Sequence, residues 1–259
     1  MKFAFFVINL SLGTSSMKQV YDDGMEQVEW GEELGYDALF VAEHAFFHYG
    51  KPSPHVLLGN IAACTKRIRI GTGVSILPWH NPIEIAQDYA TVDLLSDGRF
   101  DFGVGRGLFR GEFEGYRVPW QEAQERFDES LDVILKAWTE NPFSYKGKFH
   151  SYPEVEVLPK PLQKTPPTAI AALPQPVDYG EVFTPIIGAS LTQLTDLKVM
   201  FERLSTVMEQ TGITHMEKVA HPFIYVSDTI EKAREQAREP TQWFLDDFGR
   251  MFALLEGME

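Results

Sequence analysis

Cysteine is all but missing. Cys64 stands alone among 259 residues, so no internal disulfide can form and no cysteine cluster can hold a metal. Long hydrophobic runs are missing as well, since no segment approaches the roughly 20 apolar residues needed to cross a bilayer. The opening stretch MKFAFFVINLSLGTSS has an apolar run of strand length, shorter than the apolar region and cleavage site of a signal peptide. Basic charge is scarce: 23 Lys and Arg face 37 Asp and Glu, for a formal charge of -14, which repels phosphate polyanions. These absences predict no nucleic-acid partner, no membrane partner and a reducing cytoplasm as the compartment. The glycines do not form a dinucleotide fingerprint. Counting G-x-G-x-x-G from Gly103 or Gly105 puts Leu108 or Arg110 where the third glycine belongs. The seven histidines lack tight ligand spacing, for His44 and His48 fall in an expected loop, and no metal site is expected. Internal repeats and low-complexity segments are absent too.

What is present is a globular composition, 44% hydrophobic and 23% charged. Short apolar runs alternate with longer stretches of helical period. FAFFVI (3–8), ALFVAE (38–43), RIRIGTGVSI (67–76), RFDFGVG (99–105), TAIAA (168–172), TPIIG (184–188) and KVAHPFIYVS (218–227) read as strands. Helices are expected over 17–34, 54–64, 82–95, 121–139, 191–210 and 229–249, with Val20, Met25, Val28 and Leu34 marking the apolar stripe of the first. Strand alternating with helix, without hairpin signals, predicts a parallel sheet and a single α/β domain over 1–259, a TIM-type (β/α)8 barrel of which seven strands are readable. The segment PFSYKGKFHSYPEVEVLPKP (142–161) breaks the alternation and reads as an extended, proline-studded insertion. Eleven residues, 173–183, separate the fifth and sixth strands, and no eighth strand is readable. A parallel barrel closes only if each strand has two neighbours. A further strand and helix beyond Glu259, and a longer segment between Ala172 and Thr184, are therefore expected in the working protein.

Three expected strand ends carry polar chemistry, and in such barrels active sites sit at the C-terminal ends of strands. FVAEHAFFHYG (40–50) places Glu43 and His44 where an apolar run stops, among Phe46, Phe47 and Tyr49. Histidine is the side chain suited to moving protons near neutrality, and an adjacent carboxylate can tune it; a plain polar loop start fits the same residues. GTGVSILPWHNP (71–82) bares the backbone at Gly71 and Gly73, either for a flat ligand or to bend the strand. GVGRGLFRGEF (103–113) sets Arg106 between glycines. Its forked guanidinium could take a phosphate, or the glycines could ease close packing beside a surface charge. Phe46, Phe47, Trp79 and Phe109 would line the mouth of the barrel and favour an apolar ligand.

Together, MKFAFF, GYDALFVAEHAF, RIRIGTGVSILPWHNPIEIAQDYATVDLLSDGRFDFGVGRGLFRGEF and YPEVEVLPKPLQ resemble the bacterial luciferase-like, flavin-dependent monooxygenases. The resemblance is almost continuous to about residue 172 and looser over 184–250. It implies a (β/α)8 barrel binding reduced FMN, or in some branches a deazaflavin, at its C-terminal mouth. It implies His44 as the proton-handling residue with Glu43 beside it. Arg106 would contact the flavin phosphate, with Gly105, Leu108 and Phe109 around it. A non-proline cis peptide would lie at Gly73-Val74 under the flavin ring, and Ala171 and Ala172 would border the cofactor. O2, a separate flavin reductase, a small apolar substrate (aldehyde, ketone, terpene or alkane) and a homodimer paired through helices near 54–64 and 82–95 are further implications. Two departures stand out: Gly105 replaces the cysteine that luciferases carry before the arginine, and Ala45 replaces their second histidine, so light emission is not implied. A hydride-transferring deazaflavin enzyme and a non-catalytic flavin-binding protein are the alternative readings.

Overall fold

The computed structural model describes residues 2–7, 16–46, 53–164, 168–171, 183–187, 198–199, 201–202, 205–206, 209, 219–220 and 224–256. Its elements are β1 (Ala4–Val7), α1 (Met17–Leu34), β2 (Ala38–Val41), α2 (Pro54–Cys64), β3 (Arg69–Thr72), β4 (Ser75–Ile76), α3 (Pro82–Leu95), β5 (Phe100–Gly105), α4 (Arg110–Gly115), α5 (Ala123–Thr139), β6 (Phe143–Lys146), β7 (Ser151–Val155), β8 (Thr168–Ala171), β9 (Phe183–Ile187), β10 (Val219–Ala220) and α6 (Ile230–Glu256). The main sheet runs β1-β2-β3-β5-β8-β9-β10, with β4 paired to β5, and every pairing in it is parallel. This is the strand order of a TIM-type barrel wall, and all seven strands expected from the sequence occupy it in sequence order. Pairing of β10 with β1, which would close the wall, is not seen among the described residues.

Local chemistry explains the element ends. Ser16 Oγ accepts the Gln19 N–H at the start of α1, and Gly35, at φ 80°, stops the helix in a left-handed turn that β-carbon-bearing residues avoid. Asn81 caps α3 in the same way by accepting the Ile83 N–H, with Pro82 in the first turn. The core between sheet and helices is built from Val28, Leu39, Val41, Leu58, Ile61, Ile70, Phe100, Phe102 and Trp138, all buried. Tyr89 stacks on Phe100 with ring centroids 5.0 Å apart, and the Trp138 indole N–H donates to the Ala86 carbonyl at 2.8 Å.

The structure corrects the sequence reading in several places. The insertion at 142–161 contains an antiparallel hairpin, β6 with β7, not only extended chain. Its turn is held by α5: Glu129 accepts the N–H groups of Lys148, Phe149 and His150. The strand expected over 67–76 is two strands, broken at a cis peptide between Gly73 and Val74. Of the strand expected over 218–227, Val219–Ala220 alone pairs among the described residues, and Ile224, Tyr225 and Val226 are exposed. Helix α4 escapes sequence reading because Gly111 and Gly115 hide its period. The segment 173–182 and most of the helix expected over 191–210 lie outside the described residues.

At the N-terminal end of the sheet, Glu32 joins the end of α1 to the entry of β3. Its carboxylate accepts the N–H groups of Lys66 (3.0 Å), Arg67 (2.9 Å) and Ile68 (2.9 Å). Burial would raise its pKa, but the three amides and the Arg67 charge outweigh burial and hold it below the usual carboxylate range. A carboxylate with a lowered folded-state pKa adds stability that is present above its unfolded value and lost as pH falls through the folded one. We expect Glu32→Gln to lower stability at neutral pH and to flatten the decline on acidification below about pH 4.5, measured as urea midpoints across that range. An unchanged acid dependence would remove Glu32 from the explanation.

Candidate active site

Because every pairing in the main sheet is parallel, the ends of β2, β3 and β5 open on the same side, and the three polar motifs meet there. The Gly73 N–H donates to the Val41 carbonyl at 2.9 Å, and Thr72 Oγ1 exchanges hydrogen bonds with the backbone of Gly103. Gly103 tolerates no side chain, for an added Cβ would sit 1.8 Å from the Thr72 carbonyl oxygen.

Successive residues of an extended segment point to opposite sides, and this separates Glu43 from His44. Glu43 is buried and turns toward the chain that follows the cis peptide. Its Oε2 accepts the Ile76 N–H at 2.6 Å and the Ser75 hydroxyl at 3.3 Å, while Oε1 lies 2.6 Å from His80 Nε2. The phenol of Tyr89 is buried beside this cluster. Burial first, and the charge of Glu43 second, push its ionisation well above the ordinary phenol range, so it remains a neutral hydroxyl. His55 packs edge-on against both His80 and Tyr89.

His44 faces the other way. The carboxylate beside its ring is Glu112 of α4, not Glu43: His44 Nδ1 lies 3.2 Å from Glu112 Oε1, which also accepts the Ala45 N–H at 2.8 Å. Glu112 has no exposed surface, whereas the His44 side chain keeps 18% of its own. Sequence reasoning missed Glu112, although it lies within the GVGRGLFRGEF stretch, because only the fold brings residue 112 to residue 44.

The residues expected to bind cofactor or substrate are distributed unevenly. Arg106 lies over the Trp120 ring at 5.1 Å and makes no ion pair with a carboxylate among the described residues. Added Cβ atoms would strike Val74 at Gly105 (2.5 Å), Phe113 at Gly107 (2.8 Å) and Phe6 at Gly73 (2.5 Å). At Gly105 and Gly107 this crowding fits close packing, one of the two roles left open by the sequence for the glycines around Arg106, and at Gly73 it places the Phe6 ring against the cis peptide. Leu108 is half-buried, and Phe109 is a core residue, 1% exposed, with its ring against His44 at 5.4 Å rather than open on the mouth. Phe46, 65% exposed, packs on Tyr116, which stacks on Trp79 at 5.0 Å. Ala171 ends β8, whereas Phe47 and Ala172 lie outside the described residues. No group of three or more metal-binding side chains occurs among the described residues, and no helix there is long and apolar enough to cross a membrane.

Comparison with known proteins gives this arrangement a context. The profile of the luciferase-like monooxygenase family matches residues 1–257. The oxygenase component of a flavin-dependent trigonelline monooxygenase from Acinetobacter baylyi is 28% identical over 265 residues, 97% of this chain and 72% of that protein. An F420-dependent glucose-6-phosphate dehydrogenase from Amycolatopsis mediterranei is 32% identical, covering 83% of this chain and 68% of that protein. An uncharacterized Sinorhizobium fredii protein, y4vJ, is 34% identical over 66% of this chain, and the match spans 50% of its length. Among solved structures, the monooxygenase RslO1 from Streptomyces bottropensis has a TM-score of 0.86 at 23% identity over 97% of this chain and 79% of that one. The oxygenating constituent of 3,6-diketocamphane monooxygenase from Pseudomonas putida, solved with FMN, has a TM-score of 0.82 at 22% identity, covering 99% and 78%. At these identities the two structures share the fold.

The Glu43 cluster generates a stability prediction. Glu43→Ala strips the Ile76 amide and His80 of their buried acceptor and should lower the unfolding free energy by about 3–5 kcal/mol. Glu43→Gln keeps an acceptor for the amide and should cost less. Urea unfolding of both variants measures this, and two near-neutral substitutions would contradict the bracing role.

Proposed function

The chain belongs to the luciferase-like monooxygenase family, and from that premise we propose that it is the oxygenase component of a two-component flavin-dependent monooxygenase. Reduced FMN comes from a separate reductase, O2 is the oxidant, and the substrate is a small apolar molecule of the aldehyde, ketone, terpene or alkane class. The observation that carries this reading is the presence, at the C-terminal ends of neighbouring strands, of a partly exposed His44 held by a buried carboxylate and of an Arg106 that has no carboxylate partner among the described residues.

The residues fit FMN. In a protein of net charge -14, a cation at the strand ends with no acidic partner among the described residues suits a phosphate, and a guanidinium offers it paired donors. When bound there, FMN supplies the electrons that activate O2. Arg106 would hold the phosphate. His44 gives up or takes back a proton at its ring nitrogen as oxygen reaches the substrate. Phe46, Trp79 and Tyr116 present an apolar wall that keeps water from the reacting atoms. Glu43 takes no part in the proton transfer: it braces the backbone of Ser75 and Ile76. The family resemblance supports a homodimer through α2 and α3, where Val56, Leu94 and Leu95 are exposed.

A second reading is favoured by one observation, the 32% identity to an F420-dependent dehydrogenase: hydride transfer with a deazaflavin and no oxygen. Titration with reduced FMN and with reduced F420, with oxygen uptake followed, separates the two. We expect saturable binding of FMN and substrate-dependent oxygen uptake. Saturation by F420 alone, without oxygen uptake, would replace the first reading by the second.

Two substitutions test the roles. His44→Ala should leave FMN affinity within a few-fold and slow product formation by about 10² or more, the usual loss for an acid-base group. Arg106→Ala should weaken FMN about tenfold or more, as for a lost charge-assisted hydrogen bond, and leave riboflavin, which lacks the phosphate, nearly unaffected. Equal losses for FMN and riboflavin would separate Arg106 from the phosphate.

A further inference from the structure

Glu112 is a fully buried carboxylate with few partners. Its Oε1 meets the Ala45 N–H at 2.8 Å and His44 Nδ1 at 3.2 Å, and its Oε2 is buried with no hydrogen-bond partner among the described residues. A buried carboxylate needs donors. If the neutral His44 ring carries its proton on Nδ1, Glu112 has two donors. If the proton sits on Nε2, the Nδ1 lone pair faces Oε1 and the carboxylate keeps only the Ala45 amide. The buried side chain thus selects one of the two forms of the ring.

The same carboxylate also fixes where the ring stands. By binding the Ala45 amide it anchors the backbone next to His44 to the first turn of α4, and the residue preceding α4, Phe109, packs against the ring at 5.4 Å. One short element therefore holds His44 by a charged acceptor, by the neighbouring backbone and by a flat apolar contact. Glu43 cannot substitute, because its oxygens are engaged by Ile76, Ser75 and His80.

We propose that Glu112 is the positioning residue of the site, holding His44 in the Nδ1–H form so that Nε2 is the nitrogen that takes up a proton. This rests on the reading of His44 as the proton-handling group. The role belongs to Glu112 whether the cofactor is FMN or a deazaflavin, since it concerns the chain's own two side chains.

The test is long-range ¹⁵N–¹H NMR of the histidine rings in the cofactor-free protein, at a pH where the ring is neutral, with the His44 signals identified by their loss in His44→Ala. The parent should show His44 as Nδ1–H in roughly nine-tenths of molecules or more, and Glu112→Gln, which keeps shape and loses charge, should move the majority to Nε2–H, the form preferred by a free imidazole side chain. In turnover, Glu112→Gln should lower kcat by about tenfold or more, the loss expected for a misaligned acid-base group, with KM and FMN affinity little changed. Glu112→Asp, retaining the charge, should keep the Nδ1–H form and recover part of kcat; if Glu112→Gln fails to fold, Glu112→Ala takes its place and should likewise move the ring to Nε2–H. A parent ring that is mainly Nε2–H, or a ring form that Glu112→Gln leaves unchanged, would overturn the proposal. If instead the NMR result holds while His44→Ala turns over at the parent rate, the positioning stands and the proton-handling reading of His44 falls.

Discussion

The carboxylate of Glu43 is the contact on which the site depends. Three strand ends must meet at the mouth of this sheet, and the chain after β3 must turn through Gly73 and Val74 before β4 can pair with β5. Glu43, at the end of β2, holds that crossing by accepting from Ile76 and Ser75 and by pairing with His80 at the entry to α3. A buried charge is tolerated only where donors surround it, so the cluster admits few alternative arrangements. With Glu43 committed inward, the next residue, His44, is directed outward, and the alternation of an extended chain does the rest. Glu112 then secures the outward residue as Glu43 secures the inward one. Two buried carboxylates, one on each side of the end of β2, fix the residues that follow it.

Much of this was legible in the residues. Seven apolar runs alternating with helical stretches announced a parallel sheet, and the seven strands occupy it in sequence order. The cis peptide at Gly73-Val74 stands where the family resemblance placed it. The sequence could not reveal which carboxylate serves His44, because adjacency in the chain favoured Glu43, and only the strand order carries residue 112 to residue 44. The glycines around Arg106 suited either a ligand or packing, and neighbouring side chains at 2.5–2.8 Å from their missing Cβ atoms favour packing. The β6–β7 hairpin was hidden by its prolines and by the dependence of its turn on Glu129, a partner in another element.

Dense backbone bracing and the candidate site lie at opposite ends of the sheet. At the N-terminal end, Glu32 collects three backbone amides, and Arg99 donates to the carbonyls of Thr65, Ile68 and Ser96, fastening helix ends to strand starts. At the C-terminal end the hydrogen bonds instead leave a histidine partly exposed and an arginine without an acidic partner among the described residues. That division is the usual one for parallel barrels, where the loops after the strands vary and the opposite face holds the wall together. Phe46, Tyr116 and Trp79 stack in turn at the same open end.

Transfer of one oxygen atom from O2 to substrate is the central claim, and isotope incorporation tests it most directly. The protein would be supplied with chemically reduced FMN and a panel of aldehydes, ketones, terpenes and alkanes under ¹⁸O2, and the products analysed by mass. The account predicts a product bearing one labelled oxygen atom. Products formed without label, or formed equally well in the absence of O2, would contradict it.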